Sequence, residues 1–441
     1  MPVQTNKYNL RPFKEAPLSK TNIKPVELEH LDLSLYKEGP ENLESRKQLA
    51  SKIEKSLSTY GFISVTNHGF DLSKIEFLKS IAQSLLELPV EEQKDYLAGA
   101  WKSDLEDRTK SSGGENGSGF KPKKYWSMRN GVEDSITHYN FNNLNHDSFF
   151  DTDKNNYPEI VREYLDKIAE YYRFLHSDTL RKICNLTDLA LEIPEGFLYK
   201  NYYSVIDGDY NNSGGGTGRM MMYDPMDPED LKKTGKTTLR GHSDSGGFTF
   251  ITSQPILSLQ IRNYFTGEWN YVGHTPNGLI VNIGDAMEFI TGGYFKSSIH
   301  RVVAPPDDQS EYKRLVLIYF SKPKNTSIID PEPLKSPKLK RLGYNKPEIW
   351  DKINFQAWNN EKGRLFGKKT VNDTNTEEPK LVLMYGRLHE RWHQVESNFS
   401  VDEAIKKFDV IKLEELVESN ISVDEATKKF DDIKLEELVS Q

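Results

Sequence analysis

The stretch Arg240-Gly-His-Ser-Asp-Ser-Gly-Gly-Phe-Thr-Phe250 sets His242 and Asp244 two positions apart and follows them with two glycines. Successive side chains of a strand alternate between faces, so these two residues share one. An imidazole nitrogen and a carboxylate oxygen on one face can chelate an ion, or they can be a surface pair. A third ligand has to decide. His300, in "SSIHRVV" on another predicted strand, is the candidate.

Composition leaves room for such a site. The chain has 441 residues, 36% hydrophobic and 11% aromatic, enough to bury a large core. A net charge of −8 does not advertise nucleic-acid or membrane binding. Cys184 is the single cysteine, so an intrachain disulfide or a cysteine-rich metal site is excluded and a metal must sit on His, Asp or Glu. No apolar run has the length of a membrane span and the first residues lack a signal-peptide core. A soluble, cytoplasmic protein is expected.

Working outward, residues 1–26 read as an extended arm. Residues 27–150 are mixed, with helices predicted over 44–60 and over 74–97 (broken at Pro89) and a strand in "GFISVTNHGF" (61–70). A polar Gly/Ser-rich stretch, 102–119, reads as a mobile loop. Residues 151–325 open with a long helix over 158–186. Many short β-type runs follow: "FLYKNYYSVI", "GRMMMYDP", "GGFTFITS", "LSLQIRN", "WNYVGHT", "GLIVNIGD", "SSIHRVV" and "RLVLIYFSKP". Close-spaced strands with turns between them argue for a sandwich or barrel. Residues 326–395 are an extension ending in a predicted helix, "LVLMYGRLHERWHQ", a lid candidate. The last segment, 396–441, is a tandem repeat, "ESNFSVDEAIKKFDVIKLEELV" then "ESNISVDEATKKFDDIKLEELV". Each copy is an amphipathic helical unit, a duplicated terminal helix or a protein-contact surface.

His242, Asp244 and His300 together offer two imidazoles and one carboxylate to one side of a metal. That set leaves positions open for a chelator and O₂, the pattern of non-haem Fe(II) oxygenases. The other histidines lack this context: His68 reads as turn chemistry and His146 as a weaker alternative ligand. Arg314 opens the strand "RLVLIYF", whose alternation sends Arg314, Val316 and Ile318 to one face. A cation facing an apolar interior needs an anionic partner, and a guanidinium grips a carboxylate with two parallel hydrogen bonds. Tyr223 is a phenolic partner for the same carboxylate.

With these residues in place, the chain resembles the Fe(II)/2-oxoglutarate-dependent dioxygenases, in the branch that includes isopenicillin N synthase and plant and fungal hormone and secondary-metabolite oxygenases. The order His-x-Asp…His…Arg and the texts "GHSDSGGFTF", "GLIVNIGDAMEFITGGYFKSSIHRVV" and "RLVLIYFSKP" carry the likeness, which spans about residues 27–325. The resemblance implies an α+β chain with a double-stranded β-helix (jelly-roll) core flanked by helices. It implies Fe(II) on His242, Asp244 and His300, and 2-oxoglutarate held by Arg314 and Tyr223, with ascorbate as a stimulant. It also implies an oxidoreductase that consumes O₂, releases succinate and CO₂ and most often hydroxylates a small molecule. Two departures stand out. Val316 lies where the family usually has a serine or threonine, and Met221 where it often has an asparagine. Both remove hydrogen bonds to the co-substrate, which keeps open an iron oxidase that does without 2-oxoglutarate. A non-catalytic jelly-roll binding module is the remaining alternative. "KYWSMRNGVEDSITHYNF" (124–141) matches the region over the pocket mouth, with Tyr125, Trp126, Arg129, Tyr139 and Phe141 as expected substrate contacts.

Overall fold

The computed structural model describes residue 8, residues 10–98, 118–126, 128–148, 156–366 and 380–391. The tandem repeats of 396–441 and most of the Gly/Ser stretch, 102–117, lie outside the described residues. The end of that stretch is not loop, since Gly119 opens a strand.

Two antiparallel layers form the core. The large sheet runs β1 (His30–Asp32), β2 (Phe62–Thr66), β10 (Leu279–Ile283), β7 (Phe248–Thr252), β12 (Arg314–Lys322), β5 (Gly215–Tyr223), β4 (Ile136–Asn142) and β3 (Gly119–Lys121). Of its pairings only β1 with β2 is parallel. The small sheet runs β6 (Thr237–His242), β11 (His300–Val303), β8 (Leu259–Arg262) and β9 (Trp269–Tyr271). Strands from before residue 150 and after it share the large sheet, because β4 pairs with β5 and β2 with β10. This is the expected jelly roll.

Strand alternation divides the large sheet's side chains between two cores. One face carries Tyr139, Phe141, Met220, Met222, Leu315, Leu317 and Tyr319, packed on the helices. The other carries Ile136, Met221, Tyr223, Val316 and Ile318, facing the small sheet's Leu259, Ile261 and Val302. The helices on the first face are α1 (Leu43–Thr59), α2 (Leu72–Leu86), α4 (Glu159–Phe174) and α5 (Leu180–Ala190); α3 (Val90–Lys94) follows the break at Pro89. In α1 the buried residues Leu49, Ala50, Ile53 and Leu57 recur at helical spacing. Helix α2 starts where the Asp71 carboxylate accepts from the Ser73 amide at 2.7 Å. Between α4 and α5 the predicted long helix loosens into a π turn, Leu175–Thr179. There His176 faces the Tyr319 hydroxyl at 2.7 Å and the Tyr203 carbonyl at 2.8 Å.

Two segments depart from expectation. "FLYKNYYSVI" is not a strand: Tyr199–Tyr203 forms a π turn whose Tyr202 and Tyr203 are buried in the helix-side core, so packing overrides β propensity. The predicted final helix is instead a hairpin, β13 (Lys380–Met384) with β14 (Arg387–Arg391). Tyr385 and Gly386 both have positive φ, 53° and 73°, the pattern of a two-residue hairpin turn. The remaining helices are α6 (Pro228–Thr234), α7 (Asp285–Ile290), α8 (Pro337–Arg341) and α9 (Phe355–Phe366). Among the described residues no helix is long and apolar enough to cross a membrane.

Candidate metal centre and co-substrate pocket

His242 ends β6 and stands opposite His300 in the antiparallel register with β11. Their ring centres are 4.4 Å apart. Asp244 lies just past the end of β6, so the turn, rather than continued strand alternation, brings its carboxylate to the imidazoles. Oδ1 of Asp244 is 4.0 Å from Nε2 of His242 and 4.0 Å from Nε2 of His300. The three donor atoms lie within 4.8 Å of one another. Donors about 2.1 Å from one ion lie roughly 3 Å apart when adjacent, so closing the Asp244 pairs by about 1 Å, and the third pair by under about 2 Å, would bring all three to bonding distance.

Hydrogen bonds aim each donor. Nδ1 of His242 faces the Arg240 carbonyl at 2.9 Å, and Nδ1 of His300 faces the Ser298 carbonyl at 3.2 Å. A carbonyl only accepts, so each ring carries its proton on Nδ1 and presents the Nε2 lone pair. Oδ2 of Asp244 accepts from Thr249 Oγ1 at 2.7 Å on β7 and from Asn282 Nδ2 at 2.9 Å on β10, which leaves Oδ1 toward the cluster. Burial works against the charge of Asp244, but the two imidazoles and these hydrogen bonds outweigh it and hold its pKa at about 2. Burial, reinforced by His300, draws His242 down to about 3, so its ring is neutral. Neutral imidazoles and an ionised carboxylate are the donor chemistry that ferrous iron requires.

The two glycines have a steric reason. A Cβ at Gly246 would stand 2.4 Å from the Ser321 carbonyl oxygen, and one at Gly247 would stand 2.0 Å from the Tyr203 hydroxyl. Only bare backbone lets the ligand turn settle against the end of β12. The turn is also braced from outside the barrel. Lys362 on α9 donates to the Ser243 carbonyl at 2.9 Å and pairs with Asp285, whose own amide donates to the Asp244 carbonyl at 2.8 Å. Ser245 donates to Asn359 at 2.9 Å, and Trp358, fully buried, donates Nε1–H to Asp285 at 3.3 Å. Burial opposes the charge of Asp285, yet Lys362 and His389 hold its pKa below the usual carboxylate range.

Arg314 and Tyr223 are register partners on β12 and β5. The guanidinium carbon lies 4.8 Å from the Tyr223 ring centre, and both residues are 7% exposed. Among the described residues no carboxylate pairs with Arg314. One rung along, Val316 faces Met221, an apolar step of the same inward face.

The mouth residues divide. Tyr125 and Trp126 stay on the cavity side, with Lys121 over the Tyr125 ring at 4.5 Å and Trp126 stacked on His138 at 5.1 Å. Tyr139 and Phe141 do not line the cavity: they fall on the helix-facing side of β4, where Tyr139 meets Phe120 edge-on at 4.8 Å and Phe141 packs against Tyr172. The period of two puts their neighbours His138 and Asn140 inward instead. Arg129 sits in a short 3₁₀ turn, Arg129–Gly131, with no contact to the ligand cluster among the described residues. His146 is buried beside Tyr210, away from the cluster, and His68 accepts the Phe70 amide at 3.1 Å, as a turn residue should. Sequence reading passed over Thr249 and Asn282, which needed the fold to be seen. It also passed over Arg219, which the alternation backward from Tyr223 would have found.

Comparison with known proteins agrees with this geometry. Residues 210–323 match the model of the 2OG-Fe(II) oxygenase superfamily, and residues 28–149 match that of the non-haem dioxygenase N-terminal region named for morphine synthesis. The chain belongs to the Fe(II)/2-oxoglutarate-dependent dioxygenase superfamily. A similar curated relative is the 1-aminocyclopropane-1-carboxylate oxidase of Dictyostelium mucoroides, 24% identical over 379 residues, covering 78% of this chain and 95% of the relative. In fold the dioxygenase is similar to a full-length Neurospora crassa protein solved in complex with alpha-KG, with a TM-score of 0.59, 17% identity and coverage of 76% of this chain and 95% of that one. It is also similar to JOX2 in complex with 2OG, Fe and JA, with a TM-score of 0.56, 21% identity and coverage of 82% and 92%. The dioxygenase is an oxidoreductase of a superfamily named for Fe(II) and 2-oxoglutarate.

Proposed function

We propose that this dioxygenase hydroxylates a small organic metabolite, with His242, Asp244 and His300 as the iron ligands and Arg314 and Tyr223 as the anchor of 2-oxoglutarate. The observation that carries the reading is the aim of the donors: two Nε2 lone pairs and one carboxylate oxygen turned toward one point, each fixed from behind. The chemistry that bound ferrous iron supplies is the coupling of 2-oxoglutarate decarboxylation by O₂, to succinate and CO₂, with oxidation of a C–H bond. The chain's own share is placement. Arg314, buried and without a counter-charge among the described residues, fits the far carboxylate of the keto acid, and the Tyr223 hydroxyl stands beside it. The apolar step of Val316 and Met221, with Ile136 and Ile318, keeps water from the reacting end and leaves space for substrate. Cys184, buried and single, accords with a reducing, cytoplasmic setting.

The test is a metabolite screen with purified protein, Fe(II), ascorbate, 2-oxoglutarate and O₂, read as succinate release. Release stimulated by one compound, matched by its hydroxylated product, is expected. Oxidation of that compound with no succinate formed would overturn the reading in favour of an oxidase that does without 2-oxoglutarate, the alternative that Val316 and Met221 favour.

A further inference from the structure

The inward face of the large sheet holds more positive charge than the co-substrate needs. Counting back from Tyr223 by twos along β5 gives Met221 and then Arg219, opposite Ile318 on β12 and Asn140 on β4. Lys121 on β3 stands opposite His138, and Lys322 ends β12 opposite Gly215. All these positions lie on the cavity face. Each of the three cations is only partly exposed, as groups lining an open cavity are.

None of them has a carboxylate partner among the described residues. Arg219 donates Nε–H to Asn140 Oδ1 at 2.8 Å and lies 4.8 Å from the Phe320 ring centre. That orients the guanidinium, while its terminal nitrogens make no hydrogen bond among the described residues. Lys121 rests on Tyr125, and Lys322 makes no ion pair within the same residues. Beside Lys121, His138 is fully buried and neither ring nitrogen has a hydrogen-bond partner among the described residues. Burial pulls Lys121 down to about 7 and Lys322 to about 8, in each case with a further push from Arg219, so the cations strain against one another. Partly desolvated like charges are costly and survive where an anion completes them.

2-Oxoglutarate is not that anion. Arg219 lies four positions from Tyr223, about 13 Å along the strand. The keto acid anchored at Arg314 and Tyr223 is too short to cross that span and also reach the metal. We propose that Arg219, flanked by Lys121 and Lys322, binds a carboxylate of the substrate itself, so that the dioxygenase acts on an organic acid distinct from its co-substrate. This rests on the oxygenase reading above and narrows it to one substrate class. Asn140 is the positioning residue, and the rings of Phe320 and Tyr125 hold the cations open toward the ligand.

Calorimetry on the full chain, anaerobic and loaded with Fe(II) and 2-oxoglutarate, tests this with benzoate and hexanoate as probes, phenyl phosphate as the competing anion and benzamide as the uncharged control. Benzoate or hexanoate should bind, and benzamide should not. R219M should weaken the carboxylate by about 10- to 100-fold, the loss of a charged hydrogen-bonded pair, and R219K by less. A separate titration should show 2-oxoglutarate affinity unchanged in R219M. K121M should melt no lower than the native chain, since it removes a charge without a carboxylate partner. The proposal is overturned if neither carboxylate binds the native protein below about 10 mM, if benzamide binds as well, if R219M leaves binding unchanged, if K121M melts lower, or if phenyl phosphate binds far tighter. Failure of 2-oxoglutarate to bind the native protein would instead sink the oxygenase reading, and the two titrations keep those failures apart.

Discussion

The two walls of the cavity differ in how their polar groups are satisfied. On the side of the His242–Asp244–His300 cluster, both His Nδ1 atoms and Oδ2 of Asp244 are matched by a carbonyl, a hydroxyl or an amide, two of these partners coming from β7 and β10. On the large-sheet side, Arg314, Arg219 and Lys322 lack a carboxylate, and His138 lacks any hydrogen-bond partner among the described residues. On the first wall the side chains of His242, Asp244 and His300 leave open only the three atoms that would meet a metal. The second, on the reading proposed above, is completed by the anions it binds. Preorganisation for a metal and readiness for an anion thus take opposite forms in one barrel.

The largest break in that comparison should come from His242. H242A is expected to lose iron and to drop succinate release by about a thousandfold or more, measured as metal content and turnover; near-native decarboxylation would discard the ligand assignment. R314M acts on the other wall. It should raise the KM for 2-oxoglutarate by about 100-fold with iron content unchanged, since a bidentate charged pair is lost. K362M probes the brace behind the first wall. It leaves Asp285 buried without its ammonium and should cost about 3 kcal/mol in denaturant unfolding.

A smaller effect is the acid sensitivity of the metal-free protein. Burial holds His176 at about 4, below the 6.5 of an unfolded histidine, and His389 at about 3. The unfolded chain therefore binds more protons between those values, so stability should fall as pH drops from about 6.5 toward 4. A melting temperature flat across that window would contradict it. The smallest effect is expected from V316S, which offers a hydroxyl beside Arg314. The KM for 2-oxoglutarate should fall by about threefold to tenfold, a shift steady-state kinetics can read.

Much of the first wall is legible because the three residues that the fold brings together, the proposed ligands, sit in short, type-specific text. His-x-Asp with two glycines and a distant His on a β run can be read without a fold. Strand alternation is nevertheless not what places Asp244, since the residue lies past the strand and is brought in by the turn. Asn282 and Thr249 were out of reach, because a lone polar residue inside "LIVNI" or "FTFIT" declares a partner only when β10 and β7 are seen side by side. The second wall was partly legible. The alternation that placed Arg314 and Val316 also places Arg219, whereas Tyr139 and Phe141 were chosen for aromatic character and fell on the wrong face. The hairpin taken for a helix carried its signal in Tyr385-Gly386, a turn dipeptide inside an apolar run.

Lys362 and Asn359 tie the loop that carries Asp244 to a helix more than 110 residues downstream, and Trp358 of the same helix holds Asp285 behind it. The jelly roll closes by Lys322, yet the turn that carries the proposed ligand Asp244 is held by chain that follows the barrel. A shortened version ending after the last barrel strand would keep every ligand and lose the scaffolding behind one of them. The functional unit of this enzyme is therefore longer than its catalytic sheet, and changes in α9 would reach the proposed iron site without touching it.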